Sequence, residues 1–233
     1  MFFFFHLLTG IILGVLIGDL IRDYRWVIPC ALGAILPDLI DKPLWLVFQS
    51  IGYGRIYGHT LLAALALGVL GLLVLKFWKN PVIAGIAAGV ISHQVLDLMW
   101  HEPINWLYPV YGGFHQYDST SEIVTVLESE IKNPLEIFLF VCLCNGILVF
   151  MYRYHITAVL ARHTKVVRSL LACGVFSLCI LSGVFIGMSL GKHTLSYLGW
   201  KWPEDFIIGG ILAAMTAFLL LQWYWKMADR SIE

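Results

Sequence analysis

Charge is what this sequence has least of. Only 13% of its 233 residues are Asp, Glu, Lys or Arg, about half of the roughly 25% usual in soluble domains. With 60% hydrophobic residues and a mean hydropathy of +0.83, a soluble globular domain is excluded. Cysteine is sparse too: Cys30, Cys142, Cys144, Cys173 and Cys179 all fall in apolar stretches, which leaves no disulfide framework. The first apolar stretch has neither a basic leader nor a small-residue cleavage site, so it is expected to be a retained helix. No internal repeat is visible, which disfavours the inverted-repeat transporters. There is no low-complexity linker either.

What the sequence does have is apolar runs. They lie near 3–20, 26–48, 60–77, 81–100, 134–152, 169–190 and 205–225, and a crossing of the hydrocarbon core takes about 20 residues. The expected fold is therefore all-α, a polytopic membrane protein of about seven transmembrane helices. Helix two is expected to break at Pro37-Asp38, because proline lacks a backbone donor and disfavours helix at the residue before it. Asp41 then reads as the N-cap of a second piece, Pro43 to Ser50, lying along the interface. The expected organisation is one integral unit. Residues 1–112 carry the site, 113–133 form an outer loop with an amphipathic helix, and 134–233 are scaffold helices.

Net charge is zero but unevenly distributed. If the N-terminus is outside, the cytoplasmic side holds ten basic residues: Arg22, Arg25, Lys76, Lys79, Arg153, Arg162, Lys165, Arg168, Lys226 and Arg230. The other side holds five: Lys42, Arg55, Lys132, Lys192 and Lys201. This follows the positive-inside rule and implies a cytoplasmic (inner) membrane protein with its N-terminus out and its C-terminus in.

Within this apolar chain the ionisable residues stand out. His93, Asp97 and His101 are spaced i, i+4, i+8, one face of a helix. An imidazole and a carboxylate one turn apart form a chelate for a divalent metal. His6, Asp38 and His59 come from three other segments, and the topology brings them to the same outer half of the membrane. Ionisable groups at such depth are costly and face partners or a cavity. Three histidines and two aspartates around one point suit zinc, or else manganese, with two ions if Asp97 bridges. Arg55 and Tyr57 lie beside His59, and a guanidinium can pair two phosphate oxygens. In the acidic outer loop, His101 and His115, with Asp118 or Glu122, form a weaker set that solvated loop residues explain better. The small residues Gly10, Gly14 and Gly18 recur every four positions and predict a close helix contact.

The order of these residues resembles a known family. His6 near the start, Leu36-Pro37-Asp38, Arg55 with His59-Thr60, Ser92-His93-x-x-x-Asp97, then Leu107-Tyr108-Pro109 and Gly112 resemble the membrane-bound metal-dependent hydrolases. These are also called LexA-binding inner-membrane hydrolases, or the YdjM-like family. The resemblance covers roughly residues 1–112. Members often read His-Arg-x-x-Thr-His-Ser, where this chain has Gly54-Arg55-Ile56-Tyr57-Gly58-His59-Thr60. The order is also similar to zinc-dependent phospholipase C. That similarity implies His6, Asp38, His59, His93 and Asp97 as ligands of a zinc cluster, with His101 and His115 completing a third site.

The function expected from these readings is a metal-dependent hydrolase acting on a phosphoester of a membrane lipid at the extracytoplasmic leaflet. Asp38 and Asp97 are the catalytic candidates, Asp38 as general base or bridging ligand. The rival is a metal-ion or proton transporter using the same His/Asp set, and a third reading is a non-catalytic protein with a structural metal. No nucleic-acid partner is expected.

Overall fold

The computed structural model describes residues 3–48, 54–114, 132–151, 163–191 and 203–229. Eight α-helices occur among them: α1 Phe3–Ile21, α2 Val27–Val47, α3 Leu61–Trp78, α4 Val82–Leu96, α5 Pro103–Trp106, α6 Pro134–Met151, α7 Thr164–Leu190 and α8 Pro203–Asp229. No strand occurs among the described residues. Helix forms at each of the seven apolar stretches, and α5 is a single added turn. Phe3–Ile21, Leu61–Trp78, Thr164–Leu190 and Phe206–Trp225 are each long and apolar enough to cross a membrane. Large apolar side chains such as Leu62, Val69, Leu72, Phe77 and Phe176 are exposed, which is stable only where the solvent is itself hydrocarbon.

The chain divides into two compact units, Met1–Leu139 and Phe140–Glu233. In the first, α2 lies between α1 and α4, and α3 lies on α4. Glycine makes the central contact possible. A Cβ on Gly33 would sit 2.1 Å from the Ile86 carbonyl oxygen, and one on Gly89 would sit 2.3 Å from the Cys30 oxygen. The α2 and α4 backbones thus touch, and no side chain larger than hydrogen fits at either point. The expected face Gly10, Gly14, Gly18 does meet α2 and the turn before it, at Cys30, Val27 and Tyr24. In the second unit α7 and α8 lie along each other, with the Ser182 hydroxyl donating to the Gly210 carbonyl at 2.8 Å. Gly183 and Gly187 have open space where a Cβ would be, so neither marks a close helix contact among the described residues.

Two expectations about the helices are corrected. Helix two is not broken at Pro37-Asp38; α2 runs unbroken from Val27 to Val47 through Pro37 and Pro43. Each proline removes one helical hydrogen bond, whereas unwinding would expose several backbone groups where no water can satisfy them. Asp41 and Pro43 therefore belong to α2 and do not open a separate interfacial piece. The His93, Asp97, His101 stack also fails at its end. Helix α4 stops at Leu96, Asp97 is its C-cap, and Leu98 takes a left-handed φ of 51°. That turn swings His101 to an exposed position beside Trp100.

Candidate metal centre

Three helices and one turn bring the site together. His6 comes from the first turns of α1, Asp38 and Asp41 from α2, His93 from the last turn of α4, and Asp97 from its cap. His59 closes a 3-10 turn, Tyr57–His59, that leads through the cap residue Thr60 into α3. His6, His59, His93, Asp38 and Asp41 are all buried.

The histidine tautomers follow from their partners. His93 Nδ1 is 2.7 Å from the Ala34 carbonyl oxygen, which can only accept, so Nδ1 carries the proton. His59 Nδ1 donates likewise to Asp41 Oδ2 at 2.7 Å. Both Nε2 atoms are then bare in the neutral rings, and they face each other at 3.0 Å. Two lone pairs at that distance repel unless positive charge sits between them.

Two carboxylate oxygens close the same space. Asp38 Oδ1 is 3.6 Å from His59 Nε2 and 3.9 Å from His93 Nε2. Asp97 Oδ2 is 3.6 Å from His59 Nε2 and 3.7 Å from His93 Nε2. Ligands on a tetrahedral zinc ion at roughly 2.0–2.1 Å lie about 3.3 Å apart, so these spacings suit a small cation. Asp38 Oδ1 has no hydrogen-bond partner although it is buried. The donors fit a divalent ion of the zinc or manganese type. They form two overlapping sets, His6 with His93 and Asp97, and Asp38 with His59 and His93.

Around this core the second oxygens are occupied. Asp38 Oδ2 pairs with Lys42 at 3.2 Å, one turn along α2. Asp97 Oδ1 is 3.2 Å from His6 Nε2, and the His6 ring stacks on His93 with centroids 4.1 Å apart. Arg55 Nη2 approaches Asp97 Oδ2 at 3.0 Å as an ion pair outside hydrogen-bond alignment, and Nη1 bonds Glu102. Among the described residues the cluster thus joins four carboxylates, Asp38, Asp41, Asp97 and Glu102, with two cationic side chains, Lys42 and Arg55.

The residue-matched family model described as YdjM inner membrane protein covers residues 1–228. The chain belongs to the YdjM inner membrane protein family. With its apolar helices, this makes it a multi-pass protein of the inner membrane. No curated protein and no solved structure matches the chain. The family match runs well beyond residues 1–112, into helices that the sequence reading treated as scaffold.

In this YdjM-family chain His6, Asp38, His59, His93 and Asp97 converge as expected. Arg55 reaches the cluster through Asp97, while Tyr57 points its ring at Tyr108 and Phe114. His101 is exposed, and His115, Asp118, Glu122 and most of the amphipathic stretch lie outside the described residues. Asp41 was read as a cap for the wrong segment. Its carboxylate accepts the backbone N–H groups of Ile56, Gly58 and His59 at 2.8, 2.8 and 3.2 Å, besides holding the His59 ring. The missed signal was the spacing: Asp38 and Asp41 are i, i+3, one face of any unbroken helix. Gln94 was also missed. It donates to the Thr60 carbonyl at 3.0 Å, accepts from Trp106 Nε1 at 3.0 Å, and so ties the His59 turn to α4.

An apolar groove of about 170 Å³ adjoins this end of α4. Leu61, Leu65, Ile91, Val95 and Trp106 line it, and Gln94 is its polar member. It lies between α3 and α4, and Gln94 on its wall bonds the carbonyl of Thr60, next to His59.

Proposed function

We propose that this protein is a metal-dependent hydrolase of the inner membrane that cleaves a phosphoester of a lipid. The observation that carries this is the pair of bare Nε2 nitrogens 3.0 Å apart, flanked by Asp38 Oδ1 and Asp97 Oδ2. Asp38, His59, His93 and Asp97 would hold the ion, zinc first and manganese second. One ion suffices on two counts. His93 has a single free nitrogen, because Ala34 occupies the other. With neutral histidines, one divalent ion also balances four carboxylates against Lys42 and Arg55.

When bound, a divalent ion supplies polarisation of water and of a phosphoryl oxygen. The chain does the rest. Asp41 and the Ala34 carbonyl aim His59 and His93 and raise their basicity, as outer partners of metal ligands do. Asp97 Oδ1, in contact with His6, is positioned to take the proton that an attacking water loses and pass it to His6 Nε2. Lys42 and Arg55 stand at the rim, with side chains 23% and 19% exposed. There Lys42 and Arg55 would be placed to bind the phosphoryl oxygens of a substrate.

The lipid substrate is supported by the groove between α3 and α4, which is apolar enough for an acyl chain. The basic-residue count supports a site at the extracytoplasmic leaflet, N-terminus out and C-terminus in. The similarity to zinc-dependent phospholipase C agrees with this chemistry.

The test is elemental analysis of chelator-free, detergent-purified protein beside His93→Ala and Asp97→Ala. Near-stoichiometric zinc or manganese in the wild type, lost in both variants, followed by turnover of a lipid phosphoester, is the expected result. Metal without turnover but with metal flux into liposomes would mean a transporter instead. Metal with neither would mean a structural ion. No metal after re-addition would end the reading.

A further inference from the structure

We propose that Glu136 is a positioning residue for the metal centre, clamping the first turn of α1 so that His6 is aimed at Asp97. This rests on the metal reading above. The residue lies in the first turn of α6, 132 and 131 positions from the two α1 residues it bonds, and is buried. Its Oε2 accepts the Phe4 N–H at 2.8 Å and its Oε1 accepts the Phe5 N–H at 3.2 Å. The first N–H groups of a helix have no partner within it. A carboxylate there gains from the helix dipole and makes stronger, charge-assisted bonds. Glu136 holds this position for α1 while sitting at the positive end of its own helix as well.

The reason to assign it a role at the centre is a contrast among the three histidines. His59 is aimed by Asp41 on its Nδ1, and His93 by the Ala34 carbonyl on its Nδ1. His6 Nδ1 has no hydrogen-bond partner among the described residues. No hydrogen bond holds the ring from behind, so its direction depends on its stack against His93 and on where the α1 backbone stands. Gly10 sets the distance of α1 from α2, since its missing Cβ would lie 2.7 Å from the Cys30 oxygen. Contact at glycine lets helices slide, however, and the two bonds from Glu136 stop the slide one residue before His6. The carboxylate of Glu136 thus does through the backbone what Asp41 does for His59 directly.

The experiment uses full-length protein in detergent and cobalt(II) as probe, read by affinity and by the visible spectrum. Glu136→Ala should weaken cobalt binding about 10- to 100-fold, the usual effect of losing an outer partner, and shift the spectrum as His6→Ala does. The double variant should be no weaker than His6→Ala alone, and Glu136→Gln, which keeps one of the two accepting oxygens, should recover part of the loss. Wild-type affinity and spectrum in Glu136→Ala, or a penalty that simply adds to that of His6→Ala, would overturn the inference. Should Glu136→Ala fail to fold, Glu136→Asp decides: its carboxylate is one methylene shorter, so a shifted spectrum supports the clamp and an unshifted one refutes it. A wild type that takes up no cobalt defeats the metal reading on its own. Hydrogen exchange over residues 3–9 then judges the clamp, faster exchange in Glu136→Ala upholding it and equal exchange refuting it.

Discussion

His59 Nε2 and His93 Nε2 lie 3.0 Å apart, and each ring is held from behind by an acceptor, Asp41 for one and the Ala34 carbonyl for the other. The two acceptors push the bare nitrogens toward each other. A cation placed between them would relieve the repulsion of their lone pairs.

Asp41 carries the heaviest structural load in that arrangement. Asp41→Ala orphans three backbone donors, two of them buried, and the His59 ring, and each buried group left unpaired costs about 1–3 kcal/mol. Its unfolding midpoint in denaturant should fall sharply. Asp41→Asn keeps an acceptor and should fold, yet bind zinc about 10- to 100-fold more weakly. Competition titration against a chromophoric chelator measures this, and wild-type zinc affinity in Asp41→Asn would rule out an orienting role.

The glycine contacts make a paired prediction. Gly89→Ala forces the α2 and α4 backbones apart, because its Cβ would lie 2.3 Å from the Cys30 oxygen. Overpacking of this kind costs about 1–3 kcal/mol, and it also separates Asp38 from His93. Metal content should drop with stability. Gly183→Ala, with open space at its Cβ, should change neither.

Lys42 and Arg55 are predicted to serve turnover more than metal retention. Lys42→Ala should keep its metal and lose activity about 100-fold, the scale seen when one donor to a developing charge is removed. Arg55→Lys should lose activity similarly, because an ammonium cannot pair two oxygens as a guanidinium does. Loss of metal in step with activity would reassign both residues to holding the cluster.

The groove separates lipid from soluble substrates. Leu65 and Ile91 are about half exposed on its walls, so Leu65→Trp or Ile91→Trp should narrow it without disturbing the ligands. The expected result is a raised KM for a long-chain lipid phosphoester and an unchanged KM for a water-soluble one. Equal effects on both would place the lipid elsewhere.

Much of this was legible in the chain. His6, Asp38, His59, His93 and Asp97 could be picked out because an ionisable side chain in an apolar run is expensive, and a membrane confines such residues to a few depths. The part that was not legible depended on whether the backbone continued. Breaking helix two at Pro37 separated Asp38 from Asp41 and hid the dyad with His59. Continuing α4 past Leu96 added His101, which the left-handed turn at Leu98 removes. Both errors are one-residue backbone decisions with large consequences for side-chain direction.

The sequence by itself determined the solvent, the helical stretches and the chemistry of the donor set, since hydropathy and residue type are local properties. Only the tertiary structure decided which donors meet. The contact of Gly33 and Gly89 across α2 and α4, the turn at Leu98, and the reach of Glu136 to the start of α1 set distances between segments far apart in the chain. A metal site is defined by such distances to within tenths of an ångström, and no local pattern encodes them.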